Sequence, residues 1–155
     1  MTNELNQDFL ADYDERVIAL AQHLDLNLEP NFDLYVDEEA TEEKQQEQRE
    51  EAIQEVINEL DNIVNEYDNC YSYYKEEYLV LTDEEADEEE DRQLDNYIDE
   101  CVYPEIPEHL QNYFDEEAWK RDAHMDGRGN IISTYDGCEY DETVNGTTYY
   151  IYRIN

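Results

Sequence analysis

The chain sets 45 Asp and Glu against 9 Lys and Arg, a net charge of -36 on 155 residues. It can fold only if its apolar residues gather strongly enough to hold a self-repelling surface together. Such a charge excludes DNA, RNA and anionic membrane surfaces as direct ligands, and it requires a partner to be basic or cationic. A hydrophobic fraction of 39%, with 15 Tyr, 3 Phe and 1 Trp, is too high for a chain disordered throughout. The length suits one domain with its own core.

The acids are unevenly placed. Residues 1–36 hold 8 acids and Arg16, and residues 37–66 hold 12 acids against Lys44 and Arg49. Residues 82–100 hold 11 acids and only Arg92, whereas 118–155 hold 6 acids against Lys120, Arg121, Arg128 and Arg153. The negative charge is therefore built mainly from the first two thirds.

Phe9, Tyr13, Val17, Leu20 and Leu24 recur at steps of three and four and predict an amphipathic helix ending before Pro30. Ile53, Val56, Ile57, Leu60, Ile63, Val64 and Tyr67 predict a second, longer helix over about 41–67. Its first part, Glu42 to Glu51, has no apolar residue and is expected to project as an acidic helix. Tyr78–Leu81 reads as a buried strand. Thr82 with Glu85 three residues on reads as a capping box that opens a third helix running to Pro104. Leu110, Tyr113 and Phe114 suggest a short helix, Asp115 caps another through Trp119, and Gly127 and Gly129 close the helical region. Ile131, Ile132 and Tyr135 read as β, followed by a strand near Val144 joined through Asn145-Gly146 to Thr147–Ile154, a strong hairpin signal. The expected fold is α+β: two to four amphipathic acidic helices with a small C-terminal antiparallel sheet. Residues 1–75 form an acidic helical region and 76–155 an α+β module, or both form one continuous domain.

Chemistry-bearing patterns are weak. Cys70, Cys101 and Cys138 lack metal or disulfide spacing and read as buried free thiols. Asp122, Asp126, Gly127 and Asn130 lack the third and twelfth ligands of a calcium loop, where His124 and Ser133 stand. Gly127-Arg128-Gly129 is no phosphate cradle, a Cys138–His124 pair has no supporting motif, and no carboxylate pair stands out. No catalytic residue, metal or cofactor is expected, and the chain does not read as an enzyme. Tyrosine clusters at 71–74 and 149–152 read mainly as core, with interface contacts and a homodimer through the sheet as the alternative. No apolar run approaches the ~20 residues of a membrane span. The first residues, Met1 to Glu4, do not resemble a signal peptide, so a cytoplasmic protein is expected.

Laid out as a helix at ~1.5 Å per residue, residues 82–100 carry one net charge per ~3 Å, close to the ~3.4 Å of a single DNA strand. Residues 37–66, the second helix with the acids leading into it, carry net -10 and one charge per ~4.5 Å on the same reckoning. Side by side, the two would form a pair of negative ridges facing a basic cleft. The expected partner-binding residues are Asp83, Glu84, Asp87, Glu88, Glu89, Glu90, Asp91 and Asp95, assisted by Glu42, Glu43, Glu47, Glu50 and Glu51.

The segment YLVLTDEEAD at 78–87, the Tyr103-Pro104-Glu105-Ile106-Pro107 turn, FDEEAWKRDA at 114–123 and Asp126-Gly127-Arg128-Gly129 resemble small acidic proteins of phages and plasmids over roughly the last half of the chain. In overall character the chain is similar to DNA-mimic anti-restriction proteins, though it shares no extended motif from which a functional residue could be carried over. The resemblance implies a mobile-element protein in the cytoplasm of a bacterial host. The expected function is non-catalytic inhibition of a basic nucleic-acid-binding protein or nuclease complex, of restriction or CRISPR type, by occupation of its groove. The alternative is an acidic regulator that binds a basic partner without displacing nucleic acid.

Overall fold

The computed structural model describes residues 8–30 and 32–155, so the reading of Met1 to Glu4 lies outside the described residues. Five strands form one antiparallel sheet in the order β1-β2-β3-β5-β4. They are β1 (Ile63–Tyr67), β2 (Cys70–Tyr73), β3 (Glu76–Leu81), β4 (Tyr140–Val144) and β5 (Thr147–Arg153). The helices are α1 (Glu15–His23), α2 (Phe32–Tyr35), α3 (Glu42–Leu60), α4 (Asp83–Tyr97), α5 (Glu116–His124) and α6 (Arg128–Ile132). Four of these have nine or more residues, and the architecture is α+β as expected.

The sheet is covered on both faces, and β3 makes the division plain. Its alternate residues Tyr78 and Val80 join Ile18, Leu20, Val56, Leu60 and Ile151 in one cluster, built with α1 and the end of α3. Leu81, with Leu79 against it, joins Ala86, Ile132 and Tyr152 in a second cluster, built with α4 and α6. This period-two division is what a strand buried on both sides imposes.

Several elements differ from the sequence reading. The first helix is broken: a 3-10 turn covers Asp8–Asp12, and Asp14 caps α1 by accepting from the Arg16 N–H at 2.8 Å. Its predicted stripe nevertheless packs into the first cluster. The second helix stops at Leu60 rather than continuing to Tyr67. Ile63 and Val64 are β-branched and pair with Tyr73 and Ser72, Asp68 supplies a positive φ of 41° for the turn, and Asn65 donates to the Asp68 and Cys70 carbonyls. A helical stripe and a strand next to a helix end both place Ile63 inward, and pairing with β2 decides the outcome. The sheet thus begins before residue 76 and crosses the expected boundary at 75/76.

Farther on, α4 ends in a π-helical turn at Ile98–Val102 before Pro104. Ile131 and Ile132 end a short helix instead of forming a strand, because Gly129 lets α6 approach the loop after it. A Cβ there would lie 2.6 Å from the Cys138 carbonyl carbon. Tyr135 lies in a loop beneath the Arg153 guanidinium, 3.6 Å from the ring centre. Cys70 is buried as expected, but Cys101 and Cys138 are exposed. The Asn145-Gly146 hairpin forms, with φ of 50° and 84°, the left-handed pair that a two-residue turn requires. No described helix is long and apolar enough to cross a membrane.

Candidate interface for a basic partner

The most acidic helix is α4. Thr82 accepts from the Glu85 N–H at 3.3 Å, and Glu85 accepts from the Thr82 N–H at 2.8 Å, so the capping box forms in full. Acids in the first turn suit the helix dipole. Nine acids against Arg92 in Asp83–Tyr97 give one net charge per about 2.8 Å at 1.5 Å rise per residue.

Most of these carboxylates already have cationic partners within the chain. Arg16 bonds Glu85 at 2.8 Å, and Arg92 bonds Glu89 through Nε at 3.0 Å. Lys120 bridges Asp91 at 3.0 Å and also pairs with Asp95. Arg128 bonds Asp83 at 2.8 Å, Asp87 at 3.0 Å and Glu139 at 2.8 Å, and lies over the Tyr150 ring at 4.6 Å. These contacts tie α4 to α1, α5 and α6. Glu84 and Glu88 are exposed and in no ion pair among the described residues.

Glu90 corrects an expectation. It stands in the stripe Ala86, Glu90, Leu94, Ile98 that α4 turns inward, so it is 6% exposed and closed to a partner. Its Oε1 meets His124 Nδ1 at 2.6 Å, while Oε2 is buried without a hydrogen bond. Glu89 is half-buried and also accepts from Gln93.

On α3 the acids are differently placed. Glu42, Glu43, Glu47, Glu50 and Glu51 are all exposed, and none is in an ion pair among the described residues. This acidic half is held by polar contacts rather than standing bare. Thr41 caps it, Gln45 donates to the carbonyls of Asp37, Glu38 and Ala40, and Gln48 accepts from the Asp37 N–H at 2.9 Å. With seven acids against Lys44 and Arg49 in 19 residues, α3 carries one net charge per about 5.7 Å, less dense than expected because Asp37, Glu38, Glu39, Asp61 and Glu66 lie outside the helix. The expected side-by-side ridges do not form: α3 and α4 cover opposite faces of the sheet.

Tyrosine explains how so many carboxylates are accommodated. Tyr13 donates to Asp61 at 2.9 Å, Tyr73 to Glu59 at 2.6 Å, Tyr78 to Glu76 at 2.5 Å and Tyr149 to Glu15 at 2.8 Å. Tyr103 donates to Glu116 and Tyr152 to Glu139. Each hydroxyl satisfies a carboxylate and leaves its charge in place. Burial and the carboxylate together push Tyr13 and Tyr149 up to about 12, the Glu59 hydrogen bond does the same to Tyr73, and Tyr78 and Tyr152 are raised further. Burial alone would raise Glu85, but its bonds to Arg16 and Thr82 prevail and hold it below the usual carboxylate range.

Sequence reasoning missed the internal neutralisation of α4, since Lys120 lies 29 residues from Asp91 and Arg128 lies 45 from Asp83. The available signal was the concentration of bases after residue 118. The tyrosine clusters split by position: Tyr71, Tyr149 and Tyr152 are buried within strands, whereas Tyr74 is exposed in the turn after β2, at a positive φ of 57°. Cys138 Sγ contacts the Asp136 carbonyl at 3.5 Å, and His124 holds Glu90, so the two do not make a nucleophile–base pair. No three His, Cys, Asp or Glu side chains converge as a metal site among the described residues.

The chain matches no family model, no curated protein and no solved structure with which it was compared.

Proposed function

We propose that the protein is a non-catalytic DNA mimic that binds a basic nucleic-acid-binding protein or nuclease complex, such as a restriction or CRISPR defence assembly, in its nucleic-acid groove. The observation that carries this reading is the row of unpaired carboxylates on the exposed half of α3, held on a folded frame rather than on a tail. Supporting it, Glu84 and Glu88 offer a second acidic surface across the sheet. A cleft that grips a duplex from two sides meets negative charge on both. The similarity in character to anti-restriction proteins of mobile elements points the same way and fits action inside a bacterial cell.

A mimic and nucleic acid meet the same Lys and Arg side chains, so they must compete for one site. The test uses a nuclease complex captured with the protein. Bound protein is titrated with a short duplex at several salt concentrations, and stoichiometric protein is added to the active nuclease. Inhibition should be relieved by excess duplex and should weaken with salt. The Gln variant of Glu42, Glu43, Glu47, Glu50 and Glu51 should lose affinity mainly through a slower association rate. Simultaneous binding of protein and duplex without mutual weakening would remove groove occupation and favour the acidic regulator. Inactivation by sub-stoichiometric protein would point to an enzyme.

A further inference from the structure

A shallow groove of about 370 Å³ lies between α4, α5 and α6, away from the acidic half of α3. Its floor is Leu94 and Ile131, and its rim includes Asp126 and Asn130. One wall is an aromatic pair: Tyr97 and Trp119 stack with ring centres 5.6 Å apart and planes inclined by only 12°. Tyr97 is 53% exposed, although it stands on the helix that otherwise buries its apolar residues.

Elsewhere the protein repeatedly places an arginine against a tyrosine ring. Arg16 lies 5.4 Å from the centre of Tyr149, Arg128 4.6 Å from Tyr150 and Arg153 3.6 Å from Tyr135. The Tyr97–Trp119 pair contains the only tryptophan of the chain, the best ring for such a contact, yet no cation lies over either ring among the described residues. The rings sit in the field of a protein with net charge -36, where a cation is the favoured visitor.

We propose that this groove anchors an arginine side chain of the basic partner. The guanidinium stacks on the Tyr97–Trp119 pair, its methylenes lie along Leu94 and Ile131, and its N–H groups donate to the Asp126 carboxylate and the Asn130 amide oxygen. Arginine fits better than lysine, because its plane can stack while its edge still donates several hydrogen bonds, and because it is less strongly hydrated. Aromatic anchors of this kind dominate interface energetics, whereas exposed charges mainly steer approach. The surface thus gives the acidic partner reading a point of short-range selection. It rests on the partner being basic, but not on occupation of a nucleic-acid groove.

Two synthetic peptides, nine arginines and nine lysines of equal charge, provide the test. The arginine peptide should change Trp119 fluorescence saturably and bind about two- to fivefold tighter than the lysine peptide. Tyr97→Ala should abolish that preference while leaving lysine-peptide affinity near wild type. Asp126→Asn, an exposed and fold-neutral change, should reduce the preference as well and decides the matter should Tyr97→Ala fail to fold. Equal affinity for the two peptides, unchanged Trp119 emission on arginine-peptide binding, or a preference that survives in folded variants would overturn the proposal. Those outcomes leave competition between protein and duplex untouched, and a lack of competition leaves the arginine preference untouched.

Discussion

Arg128→Ala removes the side chain that joins α4, α6 and the loop before β4, and its cost can be worked from its contacts. The Arg128 side chain is 11% exposed, and of its acidic partners Glu139 is the most buried, at 32%. A charge-assisted hydrogen bond of that kind contributes about 1.5–3 kcal/mol. The bonds to Asp83 and Asp87 face water at 70% and 63% exposure, and pairs like these contribute roughly 0.2–1 kcal/mol each. Stacking on Tyr150 adds about 0.5–1 kcal/mol. Allowing for non-additivity within one network, Arg128→Ala should destabilise the fold by about 3 kcal/mol. Arg128→Lys, which keeps the charge but loses the planar fork, should cost about half as much. Urea unfolding at fixed ionic strength measures both, and a double-mutant cycle with Glu139→Gln isolates the principal bond. A loss under about 1 kcal/mol for Arg128→Ala, or a coupling near zero in the cycle, would refute the reasoning and mean that the Arg128 contacts to Asp83, Asp87 and Glu139 do not hold α4 in place.

Two further outcomes follow from titration. Burial beside Tyr78 and Tyr140 outweighs nearby Glu142 and Asp136 and lowers the His23 pKa below its ordinary 6.5, so the unfolded chain takes up a proton that the folded protein resists. Stability should therefore fall as pH drops through 6.5 until it passes the lowered folded value, and His23→Gln should flatten that part of the melting-temperature profile; an identical slope in the variant would exclude His23 as its source. At the alkaline end Tyr13, Tyr73 and Tyr149 should ionise near 12 by ultraviolet absorbance, and the stability they contribute, complete below pH 10, should be lost between 10 and 12. A single titration step near 10 for all 15 tyrosines would contradict the hydroxyl–carboxylate pairing.

Local signals were legible and long-range ones were not. Thr82 with Glu85, Asp115 before α5, and Asn145-Gly146 each act within a few residues, so sequence spacing alone identifies them. Ile63 and Val64 fit a helical stripe and a strand equally well, and only pairing with Ser72 and Tyr73 chooses between them. Glu90 looked like one more surface acid within a run of eight in nine residues. Its inward position follows from the Ala86–Leu94–Ile98 stripe, a periodicity masked by the density of charge around it. Placement of α3 and α4 on opposite faces depends on the sheet running between them, most of whose strands lie beyond the reach of a local pattern.

The tyrosine–carboxylate bonds separate two properties that most acidic proteins must trade against each other. Where lysine or arginine fixes a carboxylate, every gain in rigidity subtracts from the outward field. Here Asp61, Glu59 and Glu15 are fixed by neutral hydroxyls, so rigidity and field can change independently over generations of substitution. Exchange of a tyrosine for phenylalanine would loosen one acid without altering the total, and exchange of a free glutamate for glutamine would reduce the total without loosening anything. A lineage carrying this frame could follow a changing basic target by redistributing charge while its core stayed the same.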